Sequence, residues 1–73
     1  MSESVYKILE VVGSSANSWE EAAKNALETV SQNVRDLRVA EISQQDLKLD
    51  NAGKVIAYRT RVKISFKYEK GGE

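Results

Sequence analysis

The chain has 73 residues, no cysteine and no histidine, and its 11 basic and 11 acidic residues give a net charge of zero. These counts exclude disulfides, thiolate metal sites and imidazole catalysis, and they provide no global field to attract nucleic acid or anionic membranes. A chain this short forms one domain, residues 1–73, and buries only about 60% of its unfolded surface, so self-association is expected to add stability.

The N-terminal half predicts a strand followed by a helix. Residues 5–12 are rich in β-branched and aromatic residues, and the segment Gly13-Ser14-Ser15 is expected to end this strand. The helix is predicted from Ser18 to Leu37, because apolar residues recur every three or four positions and Ser18 forms a capping box with Glu21. Residues 1–4 contain neither a basic segment nor an apolar run, so we expect no secretion signal, no membrane span and a cytoplasmic location.

The C-terminal half predicts a β-hairpin. Residues 38–49 form a long polar strand, and residues 50–53 are turn formers. Residues 54–68 alternate apolar and polar side chains with a period of two, so the apolar side of this third strand should face the helix. Residues 1–4 and 69–73 are expected to fray.

A β-α-β-β order leaves few topologies open. A right-handed crossover makes the first two strands parallel, and the third fits antiparallel between them. We therefore predict an α+β protomer with a three-stranded antiparallel sheet, order 1-3-2, wrapped on one helix. The outer face, meaning the sheet face opposite the helix, would carry Arg59, Arg61, Lys63 and Lys67. Glu10, Glu41 or acidic residues of a neighbouring subunit are the candidate counter-ions.

The residues alone are compatible with two binding chemistries. The cationic row could hold nucleic acid, but Tyr58 and Phe66 alternate away from the arginines, whereas sheet-type binders place rings and cations on one face. Nucleic acid is therefore not the expected partner. Asp46, Asp50 and Asn51 offer the oxygen ligands that calcium prefers, although Asx residues in turns commonly bind their own backbone. The absence of catalytic motifs predicts a protein that is not an enzyme.

The sequence resembles the dodecin family over residues 5–68. The resemblance is carried by these segments, in the family's order and spacing: Val5-Tyr6-Lys7, Glu10-Val11-Val12-Gly13-Ser14-Ser15, Ser18-Trp19-Glu20-Glu21-Ala22-Ala23, the turn at residues 50–53, and Val62-Lys63-Ile64-Ser65-Phe66. It implies a β-α-β-β protomer of which twelve copies form a hollow shell. Flavin-binding members store flavins there, stacked between tryptophans of neighbouring subunits and fixed by a glutamine.

Two positions depart from the flavin-binding pattern. Val39 stands where the resemblance places the stacking tryptophan, and Arg59 stands where it places the glutamine. Valine offers no stacking surface, which makes flavin an unexpected cofactor, although an arginine could still pair with another anionic ligand. A hairpin centred near residues 51 and 52 would place Arg59 opposite Gln44, roughly 17 Å from Val39 along the second strand, so a shared pocket would need more than one chain.

The diagnostic segments are more similar to those of the calcium-binding dodecins: Arg38-Val39-Ala40, Gln45-Asp46, residues 50–54 and Ser65-Phe66-Lys67. The resemblance therefore implies a non-enzymatic homododecamer that binds or stores a small ligand or ion. Calcium is the expected cofactor, and Asp46, Asp50 and Asn51 are its candidate ligands, with Glu10, Glu20 or Glu41 as alternatives. A flavin-binding dodecin with a modified pocket, or an assembly without a ligand, remains the alternative.

Overall fold

The computed structural model describes residues 5–67 in four elements. Strand β1 is Tyr6–Ser15, helix α1 is Trp19–Ser31, strand β2 is Leu37–Leu49 and strand β3 is Val55–Lys67. The three strands form one antiparallel sheet in the order β1-β3-β2, which confirms the predicted fold class and topology. The fraying predicted for residues 1–4 and 69–73 concerns residues outside the described range, as does Tyr68.

Helix α1 is shorter than the predicted span, because it ends at Ser31 rather than Leu37. Asp36 adopts a left-handed backbone with φ of 61°, a conformation that Asp tolerates better than most residues. The chain therefore reverses before Leu37, which begins β2 and lies opposite Phe66. The apolar spacing of Val34 and Leu37 was compatible with a helix but belongs to the connection and to the sheet.

The core lies where α1 crosses β3. Val62 and Ile64 are completely buried, and Ala26 of the helix is 7% exposed. Five further apolar side chains pack around them, namely Val11, Ala23, Leu27, Val30 and Leu37. This confirms that the apolar side of the third strand faces the helix.

Gly13 lets the helix approach strand β1 closely. A Cβ atom at this position would collide with the carbonyl oxygen of Ala22 and lie 2.9 Å from the Cβ of Ala26. The prediction that Gly13 and the two serines end the first strand was wrong: they continue the pairing with Thr60, Arg59 and Tyr58. Gly13 is needed for the close packing of β1 against α1 rather than for a turn.

Hydrogen bonds between Glu21, in the first turn of α1, and the residues that precede the helix fix where α1 starts. The backbone N–H of Glu21 donates to Ser18 Oγ at 3.0 Å, which confirms Ser18 as the N-cap. The Ser15 hydroxyl and the Asn17 amide donate to the Glu21 carboxylate at 2.5 and 2.7 Å. These bonds hold the pKa of Glu21 below its ordinary value, because they stabilise the charged carboxylate.

The chain is far more extended than a compact domain of its length. Its radius of gyration is 15.2 Å, whereas a compact 73-residue domain would have about 11 Å. Its principal extents are 56 × 20 × 16 Å, because β2 and β3 continue past the end of β1. No helix within residues 5–67 is long and apolar enough to cross a membrane.

Candidate functional site

An ion pair on the outer face joins two of the sequence-predicted site residues. Arg59 lies directly opposite Asp46 across the β2–β3 ladder, not opposite Gln44 as expected, because the ladder starts with Leu49 opposite Val55 and then shifts register between Leu49 and Lys48. Arg59 Nε and Nη2 donate to the two carboxylate oxygens of Asp46 at 2.7 and 2.8 Å. This two-bond geometry is the arrangement in which arginine and carboxylate fit each other best.

The ion pair shifts the pKa of both groups. Hydrogen bonding from Arg59 holds the pKa of the Asp46 carboxyl below its ordinary value, and the carboxylate raises the pKa of Arg59. Both side chains remain partly in water, with 44% and 40% of the Arg59 and Asp46 side-chain surface exposed. A cation that bound Asp46 would therefore compete with the Arg59 guanidinium and would have to displace it.

Asp46 also contacts the start of the helix. Its backbone carbonyl accepts a 3.1 Å hydrogen bond from Trp19 Nε1. The Trp19 ring packs edge-on against Tyr58, with ring centroids 5.2 Å apart, and the Trp19 carbonyl accepts a bond from Thr60 Oγ1 at 2.9 Å. Because Trp19 is the only tryptophan of the chain, its fluorescence would report events at Asp46.

The other two candidate ligands lie in the β2–β3 turn. Asp50 Oδ1 accepts hydrogen bonds from the backbone N–H groups of Ala52 and Lys54 at 2.8 and 2.9 Å, so this side chain forms an Asx turn. Asn51 is exposed in the same turn, where Gly53 has φ of 82°. Within residues 5–67 no group of three or more His, Cys, Asp or Glu side chains could hold a metal ion.

Val39 and Arg59 lie apart within one chain. Val39 is 63% exposed and pairs with Ser65, whereas Arg59 pairs with Asp46, seven residues and roughly 23 Å from Val39 along β2. One chain alone cannot form a pocket from both residues.

Arg61 and Lys63 of the outer face have acidic neighbours. Glu10 lies opposite Lys63, and its carboxylate is 4.0 Å from Arg61 Nη1; Glu41 also lies opposite Lys63. The predicted counter-ion Glu10 is thus in place. Sequence reasoning missed the pairing of Asp46 with Arg59. The register of the β2–β3 hairpin is the signal that could have predicted it.

Comparison with known proteins gives consistent matches. The family model described as Dodecin matches residues 5–69. The calcium dodecin of Mycobacterium tuberculosis is 45% identical over 64 residues, which cover 88% of this chain and 89% of that protein.

Solved structures match over almost the whole chain. The dodecin of Streptomyces coelicolor has a TM-score of 0.88 at 31% identity, covering 97% of this chain and all of that one. The calcium dodecin structure from M. tuberculosis, described as having a novel calcium-binding site, has a TM-score of 0.79 at 39% identity, covering 94% and 97% of the two chains.

Proposed function

The chain belongs to the dodecin family, and we propose that it is a non-enzymatic homo-oligomer, a dodecamer, that binds and stores a cation, calcium, at contacts between its copies. The observation that carries the proposal is the 45% identity to a protein named calcium dodecin over 88% of this chain. The oxygen chemistry of Asp46, Asp50 and Asn51 is compatible with a hard cation.

Assembly is supported by the surface of the single chain. The accessible surface is 5626 Å², about 1,100 Å² more than expected for a compact monomer of 8.1 kDa. Within residues 5–67, ten large hydrophobic side chains are at least 42% exposed, among them Ile8, Val39 and Leu49. A stable interface buries about 800 Å² on each partner, so the excess surface is sufficient for one or more contacts between copies.

The bonds that already engage the candidate ligands support placement of the cation between copies. Asp46 is neutralised by Arg59, and one oxygen of Asp50 serves its own turn. Calcium takes six to eight oxygen ligands, so each chain would contribute a part and a neighbouring copy the remainder. Arg59 would then lower calcium affinity by competing for Asp46.

Calcium titration by calorimetry tests this assignment. We expect Asp46→Asn to weaken binding at least tenfold, because it removes a charged ligand. Arg59→Gln should strengthen binding, because it releases Asp46 from its competing partner.

Asp36→Asn is the matched control, since it removes an exposed carboxylate in the α1–β2 connection and Asn also tolerates that backbone. Calcium affinity that is the same in the wild type and in both the Asp46 and Arg59 variants would discard Asp46 as a ligand. Absence of calcium binding by the wild type would rule out calcium as the ligand.

Flavin is not the proposed ligand. Its family-type site would need a stacking surface where Val39 stands and a neutral amide where Arg59 is paired with Asp46. An absorbance spectrum of the purified protein with a flavin band would favour the modified flavin pocket instead.

A further inference from the structure

The β2–β3 hairpin extends beyond the rest of the chain as an arm. Strand β1 pairs with β3 only as far as Ser15 opposite Tyr58, and Trp19 contacts the hairpin at Asp46 and Tyr58. We call residues 47–57 the hairpin arm. This part of the sheet has only two strands and no helix over it, so its apolar side chains are available to a partner.

The arm is apolar and held in shape. Leu47, Leu49, Val55 and Ile56 are 42–51% exposed. Its turn is closed by the two bonds to Asp50 Oδ1 and by backbone bonds between Asp50 and both Gly53 and Lys54. A rigid apolar element loses little conformational entropy on docking, which favours binding.

A groove of about 330 Å³ between helix α1 and strand β2 offers a matching surface. Its apolar lining includes Trp19, Ala23, Leu27 and Ile42, and the small Ala23 side chain leaves room for close approach. Glu20 and Lys24 also line it. The arm of the same chain cannot reach this groove, because it continues away from Trp19 along β2 and β3.

Charged residues of the two surfaces can pair with each other. The groove carries one acid and one base, Glu20 and Lys24. The arm carries Lys48, Asp50 and Lys54, so each charge of the groove has an opposite charge available on the arm. Opposite charges of this kind fix the orientation of a contact between copies.

We propose that the hairpin arm of one copy docks in the α1–β2 groove of a neighbouring copy, with Leu49 near Ala23 and Lys54 near Glu20. This inference rests on the proposed homo-oligomer and names its contact surface. The contact joins two different surfaces, so a chain of such contacts closes into a ring only if the rotation between copies allows it.

Engineered cysteines test the contact directly, because the chain has none of its own. Leu49 lies three residues beyond Asp46 along β2, and Ala23 lies four residues beyond Trp19 along α1, where Asp46 and Trp19 are in contact. Within one chain, positions 49 and 23 are therefore about 16 Å apart. A disulfide needs Cα atoms within about 7 Å, so Leu49→Cys with Ala23→Cys can link only different copies.

We expect oxidation of this double variant to give covalent dimers and larger species on a non-reducing gel. Leu49→Cys with Thr29→Cys, which moves the helix cysteine out of the groove, is the control and should stay uncrosslinked. An assembled protein whose 49/23 variant remains uncrosslinked, or in which Leu49→Cys alone crosslinks, would overturn the docking while leaving the oligomer intact. A wild-type protein of monomeric mass would overturn both.

Charge reversal gives a second test that needs no oxidation. Lys54→Glu should lower the oligomeric fraction at fixed protein concentration, and adding Glu20→Lys should restore it. Adding Glu28→Lys instead makes the same charge change on the same helix outside the groove and should not restore assembly. Equal rescue by both helix substitutions would contradict a specific contact at Glu20.

Discussion

Gly13→Ala is expected to unfold the protein or to destabilise it by about 3 kcal/mol or more. Strand β1 and helix α1 are in close contact at Gly13, and no flexible side chain there can move to make room for the added methyl group. The added methyl group would collide with the Ala22 carbonyl oxygen, which is helix backbone, and press on the Ala26 Cβ. The helix would have to move off β1 and away from the core. Thermal unfolding followed by circular dichroism measures the loss.

Gly53→Asn is the control for that substitution. Gly53 has φ of 82°, which Asn tolerates, and nothing lies within 4 Å of the added Cβ. We expect this variant to unfold within a few degrees of the wild type. A Gly13→Ala protein as stable as the Gly53 control would show that α1 does not lie against β1 as described.

Ile64→Ala is expected to cost about 2–5 kcal/mol, because it leaves a cavity in the small core where the side chain is completely buried. Val62 and Ala26 belong to the same buried cluster and lose packing contacts with the removed atoms. For a chain of this size such a loss is a large part of the total stability. Denaturant unfolding at one fixed protein concentration measures it, since assembly couples stability to concentration.

Ile64→Val provides the graded comparison, since it shortens the same buried side chain by one carbon. We expect it to cost about 0.5–1.5 kcal/mol, because it leaves a smaller cavity. Equal losses for the two substitutions would show that the cost does not come from a cavity at Ile64.

The fold was accessible from the sequence because its signals were local. The period of two in the third strand identified the face carrying Val62 and Ile64, and the handedness of the crossover gave the strand order. The N-cap at Ser18, one half of the predicted capping box, located the start of the helix. The other half was wrong, because the Glu21 carboxylate accepts from Ser15 and Asn17 and the Ser18 N–H donates to Ser15 Oγ. The end of the helix was missed, because Val34 and Leu37 continue the helical spacing while Asp36 turns the chain.

The candidate site depended on longer-range register, which the sequence determines less well. The expected partner of Arg59 was Gln44 and the observed partner is Asp46, so the prediction was wrong by two residues along β2. Ladder irregularities leave no clear pattern in side-chain alternation. The assignment of Asp46, Asp50 and Asn51 as cation ligands stays a prediction, because it depends on atoms contributed by other copies.

The mass of the native protein in solution tests the central claim most directly, namely that the extended chain is one part of a closed assembly. Native mass spectrometry at micromolar concentration should show a species of about 97 kDa, twelve copies of the 8.1-kDa chain. A folded species of 8.1 kDa under the same conditions would contradict the assembly, the cation site between copies and the docking of the hairpin arm.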